Sequence, residues 1–331
     1  MLKNNMNILY AVNTKYIPQV GASICSVCEN NTGFDGITFY VIGLDLSEKD
    51  KKHLVRLAKG YSRQLLTIEI ENIENYFDFD YSVFGWNPII LARLLMGKLL
   101  PESVERVLYL DADTIVIGNL SGLWNRKLDG KTLAMCSEPT VNRKRKEMLG
   151  LMDYYYHNSG VLLVNLLKWR ETGALDRILD YAYKNREKLF AIDQDAINGA
   201  LKDEIAELLP KYNFSNIYTT YPYRFLRKLS KPQRYITKGL FDESRADPVI
   251  IHYLGEERPW RKGNSHKYRK EYKYYLSKTA WADTPDEEGW KLYFICWKLF
   301  NIVTKPFPAI RYKIIDSLIP AFINYRAKHR E

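Results

Sequence analysis

The sequence predicts an α/β fold: a mixed, mostly parallel sheet with flanking helices, followed by a basic, aromatic helical tail. Three observations carry this reading. Over roughly the first 255 of 331 residues, short apolar runs alternate with segments of helical periodicity. One apolar run ends abruptly in two acids, in "RVLYLDADTIVIGNL" from Arg106 to Leu120. From Arg258 to the C-terminus, sixteen Lys and Arg face seven Asp and Glu, so most of the net charge of +10 lies there. The body is nearly neutral.

The apolar runs, in order, are Ile8–Val12, Ile37–Ile42, Leu66–Ile70, Val104–Leu110, Leu133–Cys136, Val161–Asn165 and Val249–Leu254. Each is the length of a strand buried on both faces and lies near polar or turn-forming residues. Between them, Pro18–Glu29, Ser47–Leu57, Pro88–Leu99, Leu166–Asn185 and Asp193–Lys202 carry helical patterns. The four cysteines form no disulfide or zinc framework. Cys25-Ser-Val-Cys28 has redox spacing, but it sits inside the helical pattern "VGASICSVCEN" and reads as small apolar filler.

Residues 1–280 are expected to form one domain and 281–331 a tail. In the tail, "WKLYFICWKLFNIVTKPFPAIRYKIIDSLIPAFINYRAKHRE" mixes large apolar side chains with Lys and Arg, and Pro306, Pro308 and Pro320 are expected to divide it into short helices. Basic residues among Trp, Tyr and Phe suit an interfacial helix on anionic lipid. A terminal helical subdomain packed on the core is the other reading. No recognition motif accompanies the basic residues, so no nucleic acid is expected. There is no secretory signal pattern or membrane-spanning run, so a cytoplasmic chain, peripheral on the inner face of the cell membrane, is expected.

Asp111 and Asp113 carry the chemistry. Burying an unpaired carboxylate is costly, so two acids beyond a strand end face a cation, a donor network or solvent. Carboxylates at i and i+2 can share one hard divalent ion, and parallel sheets bind ligands beyond the carboxyl ends of their strands. In "VIIHYLGEERPW", His252 ends another strand, Gly255 permits close backbone approach and Arg258 suits phosphate. "HNSGVLLVNLLKW" sets Asn158-Ser159-Gly160 before a strand. "IDQDAING" sets Asp193-Gln194-Asp195 at a helix start, where an acid serves either a site or an N-cap. The acidic triplet also has the form that opens aspartyl-phosphate phosphatases, but the Gly-Asp dipeptide these need is absent.

Taken together, "YLDADTIVIGNLSGLW", "YHNSGVLLVNLLKWR", "DQDAING" and "HYLGEERPW", in this order, resemble glycosyltransferase family 8, over roughly Asn7 to Lys278. The family holds retaining sugar transferases, among them bacterial lipooligosaccharide and lipopolysaccharide α-galactosyl- and α-glucosyltransferases. The resemblance implies a GT-A nucleotide-binding sandwich, Mn²⁺ (with Mg²⁺ as the substitute) and a UDP-sugar donor. It implies Asp111, Asp113 and His252 as metal ligands, and Ala112 between the two acids as part of the donor site. Gly255 and Arg258 would meet the diphosphate, although the family more usually has Lys at the latter position. Arg93, in "PIILARLLMGKLL", would reach donor sugar and phosphate. Asn158, Asp193 and Gln194 would line the sugar pocket, and Asn13 and Tyr16, in "YAVNTKY", would hold the base. Many members carry Asp where this chain has Asn13.

The implied reaction moves galactose or glucose from UDP-hexose to a hydroxyl of a glycan or lipid-linked oligosaccharide. At the position of a covalent nucleophile stands Gln194, a poor nucleophile, which favours attack on the same face as the departing diphosphate; Asp193 as nucleophile is the competing account. A non-catalytic sugar-binding module is the rival to the whole reading. Glu138 and Thr140–Tyr156 are expected to form a lid, with the charges of "NRKRKE" as a solvated face.

Overall fold

The computed structural model describes residues 5–77, 88–230 and 235–328, so residues 329–331 of the predicted tail lie outside the described residues. Among the described residues nine strands run in order as β1 (Asn5–Asn13), β2 (Gly36–Leu44), β3 (Gln64–Glu69), β4 (Arg106–Leu110), β5 (Thr114–Val116), β6 (Leu133–Ser137), β7 (His157–Asn165), β8 (Ile205–Leu208) and β9 (Ile250–His252). Seven form one sheet in the order β3-β2-β1-β4-β7-β6-β8, and β5 pairs with β9 in a separate ladder. Within the large sheet β7 alone runs antiparallel to its neighbours, β4 and β6. The pairs β1–β2, β1–β4, β2–β3 and β6–β8 are parallel.

Near-continuous apolar strands follow from burial on both faces. Successive side chains of a strand point to opposite sides. Leu9 therefore joins one core, with Leu91, Leu95, Tyr109 and Leu162. Its neighbours Ile8 and Tyr10 join the other, with Val20, Ile24, Leu108 and Val161. Burying each such Leu, Ile or Val stabilises the fold by about 1.5–3 kcal/mol. Helix Ile17–Asn30 covers the second face, and its Cys25 and Cys28 are buried free thiols, as filler residues would be.

The structure departs from expectation in several places. β7 starts at His157, four residues early, so Asn158, Ser159 and Gly160 belong to a strand rather than to a preceding loop. Pro88–Leu95 is a 3-10 helix, continued by one α-turn over Met96–Leu99. The segment Leu166–Asn185 breaks into two helices at Gly173, whose φ is +59°. β5 and β8, three and four residues long, are too short to stand out as periodic patterns.

At the C-terminus, helices Lys291–Thr304 and Pro308–Lys328 follow one another. Pro320 does not end the second, contrary to expectation. Its fixed φ is itself helical, so the helix continues through it despite one lost hydrogen bond and a ring crowded against the carbonyl four residues back. Phe294, Thr304 and Arg311 are buried against the body, whereas Leu292, Ile295, Leu299, Ile302 and Val303 form an outward stripe. Among the described residues no helix is long and apolar enough to cross a membrane.

Candidate active site

Strand topology brings the acids and the histidine together. β4 delivers Asp111, and a tight turn follows in which Thr114 Oγ1 donates to the Asp111 carbonyl at 2.8 Å. β5 then pairs with β9, placing Thr114 opposite His252. The Tyr253 amide donates to the Asp113 carbonyl at 2.9 Å. Nε2 of His252 lies 3.3 Å from Asp113 Oδ1 and 3.9 Å from Asp111 Oδ2. One ligand atom from each of the three residues falls within 4.8 Å of the others.

The histidine is held for this arrangement. Asn213 Nδ2 donates to Asn158 Oδ1 at 2.9 Å, which leaves Asn213 Oδ1 to accept from His252 Nδ1 at 2.8 Å. With Nδ1 protonated, the Nε2 lone pair faces the carboxylates, the tautomer a metal ligand requires. The third wall is Gly160, where a Cβ would lie 2.3 Å from His252 Cε1 and 3.0 Å from Asp111 Oδ2. Burial raises the Asp113 carboxyl, but His252 and Arg258 offset this and hold it below the ordinary range. Burial lowers the His252 imidazole, but Asp113, with Asp111 and Glu138, holds it above the ordinary value. Two carboxylates and one imidazole, converging with a glycine behind them, fit a hard divalent cation that keeps positions for other oxygens.

Arg93 joins this cluster to the next. Only 5% exposed, it places Nη2 2.9 Å from Asp111 Oδ1 and Nε 3.2 Å from Asp193 Oδ2, while Nη1 donates to the Ser159 carbonyl at 2.9 Å. Burial opposes its charge, but Asp111, Tyr109 and Asp193 together raise its pKa. Asp193 is no N-cap: the helix Ile192–Ala200 begins before it, and Ser159 Oγ donates to its carboxylate at 3.1 Å. Its burial lifts the carboxyl above the usual range against the pull of Arg93. Asp195, inside the helix, instead holds the segment that leads into it, accepting from the Phe190 and Ala191 amides at 2.7 and 3.1 Å.

Gln194 is fixed at both ends. Its Oε1 accepts from the Ser159 amide at 2.9 Å, and its Nε2 donates to Tyr156 Oη at 3.1 Å and to Glu138 Oε2 at 3.3 Å. Asn158 Nδ2 also donates to Glu138, at 3.0 Å. In helix Arg143–Met148 of the predicted lid, Arg143, Lys144 and Glu147 are exposed, as a solvated face would be, whereas Arg145 pairs with the buried Asp195 and Lys146 is itself buried.

At the far edge, Asn13 ends β1 with its Oδ1 buried and without a hydrogen-bond partner. Tyr16 Oη accepts from Arg258, whose guanidinium lies 5.4 Å from the Tyr16 ring. Arg258 Nε also donates to the Gly255 carbonyl at 3.2 Å, in a turn where Gly255 has φ +80°. Ala112 is half-buried between the two acids. Every residue expected from sequence thus lies along the edge formed by the carboxyl ends of β1 and β4 and, because β7 runs the other way, the amino end of β7. Asn213 was missed, since no sequence pattern marks it; Tyr109 stands at the head of "YLDADTIVIGNLSGLW" and Tyr156 at the end of the expected lid, but neither was given a role of its own.

Comparison with known proteins decides what this edge belongs to. The sequence pattern of glycosyl transferase family 8 matches residues 7–263. The chain belongs to this family. It is a glycosyltransferase. It is 29% identical over 285 residues to a lipopolysaccharide 1,2-glucosyltransferase of Escherichia coli K12, covering 84% of this chain and 79% of that one. It is 26% identical over 279 residues to general stress protein A of Bacillus subtilis, covering 83% and 94% respectively. Among solved structures, the galactosyltransferase LgtC in complex with donor and acceptor sugar analogs superposes with a TM-score of 0.70 at 23% identity, over 86% of this chain and 99% of that one. That likeness establishes the GT-A fold of this family 8 chain.

Proposed function

We propose that this glycosyltransferase moves galactose or glucose from a UDP-sugar to a hydroxyl of a glycan or glycolipid, with retention and in dependence on Mn²⁺. The observation that carries the reading is the convergence of Asp111, Asp113 and His252 on one point, with Gly160 behind them. Bound there, Mn²⁺ would neutralise charge developing on the leaving diphosphate. Gly255 and Arg258 hold the diphosphate, Arg93 reaches the donor sugar and phosphate, and Asn13 and Tyr16 receive the base. The buried, unpartnered Asn13 Oδ1 supports the last assignment, since it awaits a donor.

Asn158, Asp193 and Gln194 line the sugar pocket. The acceptor oxygen forms its bond to the anomeric carbon as the bond to the UDP oxygen breaks, and that departing oxygen takes the acceptor proton. Two facts favour this same-face route. Gln194 carries an amide, and Asp193 is already engaged by Arg93 and Ser159. Gln194 then stabilises positive charge on the ring.

Relatives named as lipopolysaccharide glucosyl- and galactosyltransferases support a lipid-linked acceptor, as in lipopolysaccharide or capsule assembly. Residues 281–331 act as an attachment segment. The outward apolar stripe, with Lys291, Lys298 and Lys305 exposed beside it, suits the anionic inner face of a cell membrane. The deciding experiment measures UDP release from UDP-glucose and UDP-galactose with and without Mn²⁺, in the wild type and Asp113→Ala. Mn²⁺-dependent release lost in the variant upholds the reading. UDP binding without turnover, with any glycan offered, leaves a non-catalytic module.

A further inference from the structure

A cavity of about 390 Å³ opens beside Gln194. Glu138, Tyr156 and Gln194 line it on the site side; Trp297, Arg311 and Asp316 of the C-terminal helices line it on the other. The lining continues to Ile319, which is 39% exposed and lies near the outward-facing Leu318. One end of the cavity therefore meets the reacting centre, and the other meets an apolar surface.

The tail's contribution is built rather than incidental. In helix Lys291–Thr304, Phe294, Trp297, Asn301 and Thr304 recur at helical spacing on the inward side, opposite the exposed stripe. Asp316 Oδ1 accepts from Asn142 Nδ2 at 2.7 Å, tying the last helix to the N-cap of Arg143–Met148. Arg311 is only 4% exposed. Its Nη1 donates to Thr304 Oγ1 at 2.9 Å, its guanidinium lies 5.1 Å from the Trp297 ring, and its Nε has no hydrogen-bond partner. A buried unpaired donor is costly unless a ligand meets it. Aromatic faces beside a guanidinium and a carboxylate form a surface suited to a sugar, with its apolar faces and ring of hydroxyls.

We propose that the C-terminal helices are one wall of the acceptor site. Trp297, Arg311 and Asp316 contact the acceptor sugar, and its lipid portion leaves past Ile319 along the apolar face. This rests on the glycosyl-transfer reading. It makes the tail a substrate-binding element as well as a surface for attachment.

The test uses the full chain with Mn²⁺ and UDP. Binding of n-octyl β-D-glucoside and n-octyl β-D-galactoside, and of their methyl counterparts, is read by saturation-transfer NMR; UDP affinity and the unfolding midpoint are taken from the same samples. The inference expects saturation of the sugar-ring protons and tighter binding of the octyl than the methyl glycosides. Glycoside Kd should rise at least tenfold in Trp297→Ala and Asp316→Ala, return toward wild type in Trp297→Phe, and leave UDP affinity within twofold. Unchanged glycoside Kd in both alanine variants overturns the inference, as does failure of every glycoside to bind a wild-type chain that binds UDP. A wild type that binds no UDP with Mn²⁺ overturns the donor reading, and this inference with it.

Discussion

A Cβ atom on Gly160 would lie 2.3 Å from Cε1 of His252 and 2.7 Å from its Nδ1. The imidazole occupies the space a side chain would need, and it cannot retreat without losing Asn213. Gly160→Ala is therefore expected to displace His252 while leaving the apolar core intact. On the proposed metal reading, Mn²⁺ affinity should fall by about 10–100-fold, the range for disturbing the support of a metal ligand. Isothermal titration with Mn²⁺ and UDP checks this.

Asn213 supports the same ring from the other side, at 2.8 Å from Nδ1. Asn213→Ala should weaken Mn²⁺ binding by a similar factor. Asn213→Asp keeps an acceptor oxygen for Nδ1 and should recover part of the loss. Equal behaviour of the two variants would show that the hydrogen bond does not matter.

Asp195 is fully buried and accepts from Tyr156 Oη at 2.5 Å, from two backbone amides and from Arg145. Asp195→Ala strands the guanidinium of Arg145 and frees helix Arg143–Met148 from the helix that bears Gln194. Removing one partner of a buried pair costs about 3–5 kcal/mol. Urea unfolding should register that loss, and proteolysis should cut first within residues 143–148.

The imidazole of His266 is pushed down by burial to about 4. Its Nδ1 accepts from the Tyr268 amide at 3.2 Å, and its ring packs 4.9 Å from that of Tyr253. Below pH 6.5 the unfolded chain takes up a proton that the folded chain refuses until about pH 4. Stability should therefore fall as pH drops through that window, by up to about 3 kcal/mol from this residue. Denaturation midpoints between pH 7 and pH 4 should show a shallower fall in His266→Gln than in the wild type.

The sheet and the acidic turn were legible because both rest on short-range signals: a buried strand is an apolar run, and Asp111 and Asp113 interrupt one. The reversal of β7 was not legible. Its residues look the same in either direction, and only pairing with β4 and β6 fixes the direction. That reversal is why Asn158, Ser159 and Gly160 meet Asp111 at the site's edge. Asn213 was hidden for a related reason, since it acts through His252, thirty-nine positions away. The fate of the tail turned on periodicity: composition left a membrane surface and a packed subdomain both open, and Trp297 and Arg311 are the inward positions.

The ladder between β5 and β9 also sets an order of assembly. Asp111 and Asp113 leave the ribosome well before Ile250–His252, the strand that pairs beside them. A nascent or truncated chain ending before Ile250 carries every strand of the large sheet, yet it holds the two acids with neither their imidazole nor the strand that pairs beside them. On the proposed metal reading, fragments that end before Ile250 lack the imidazole that completes the donor site.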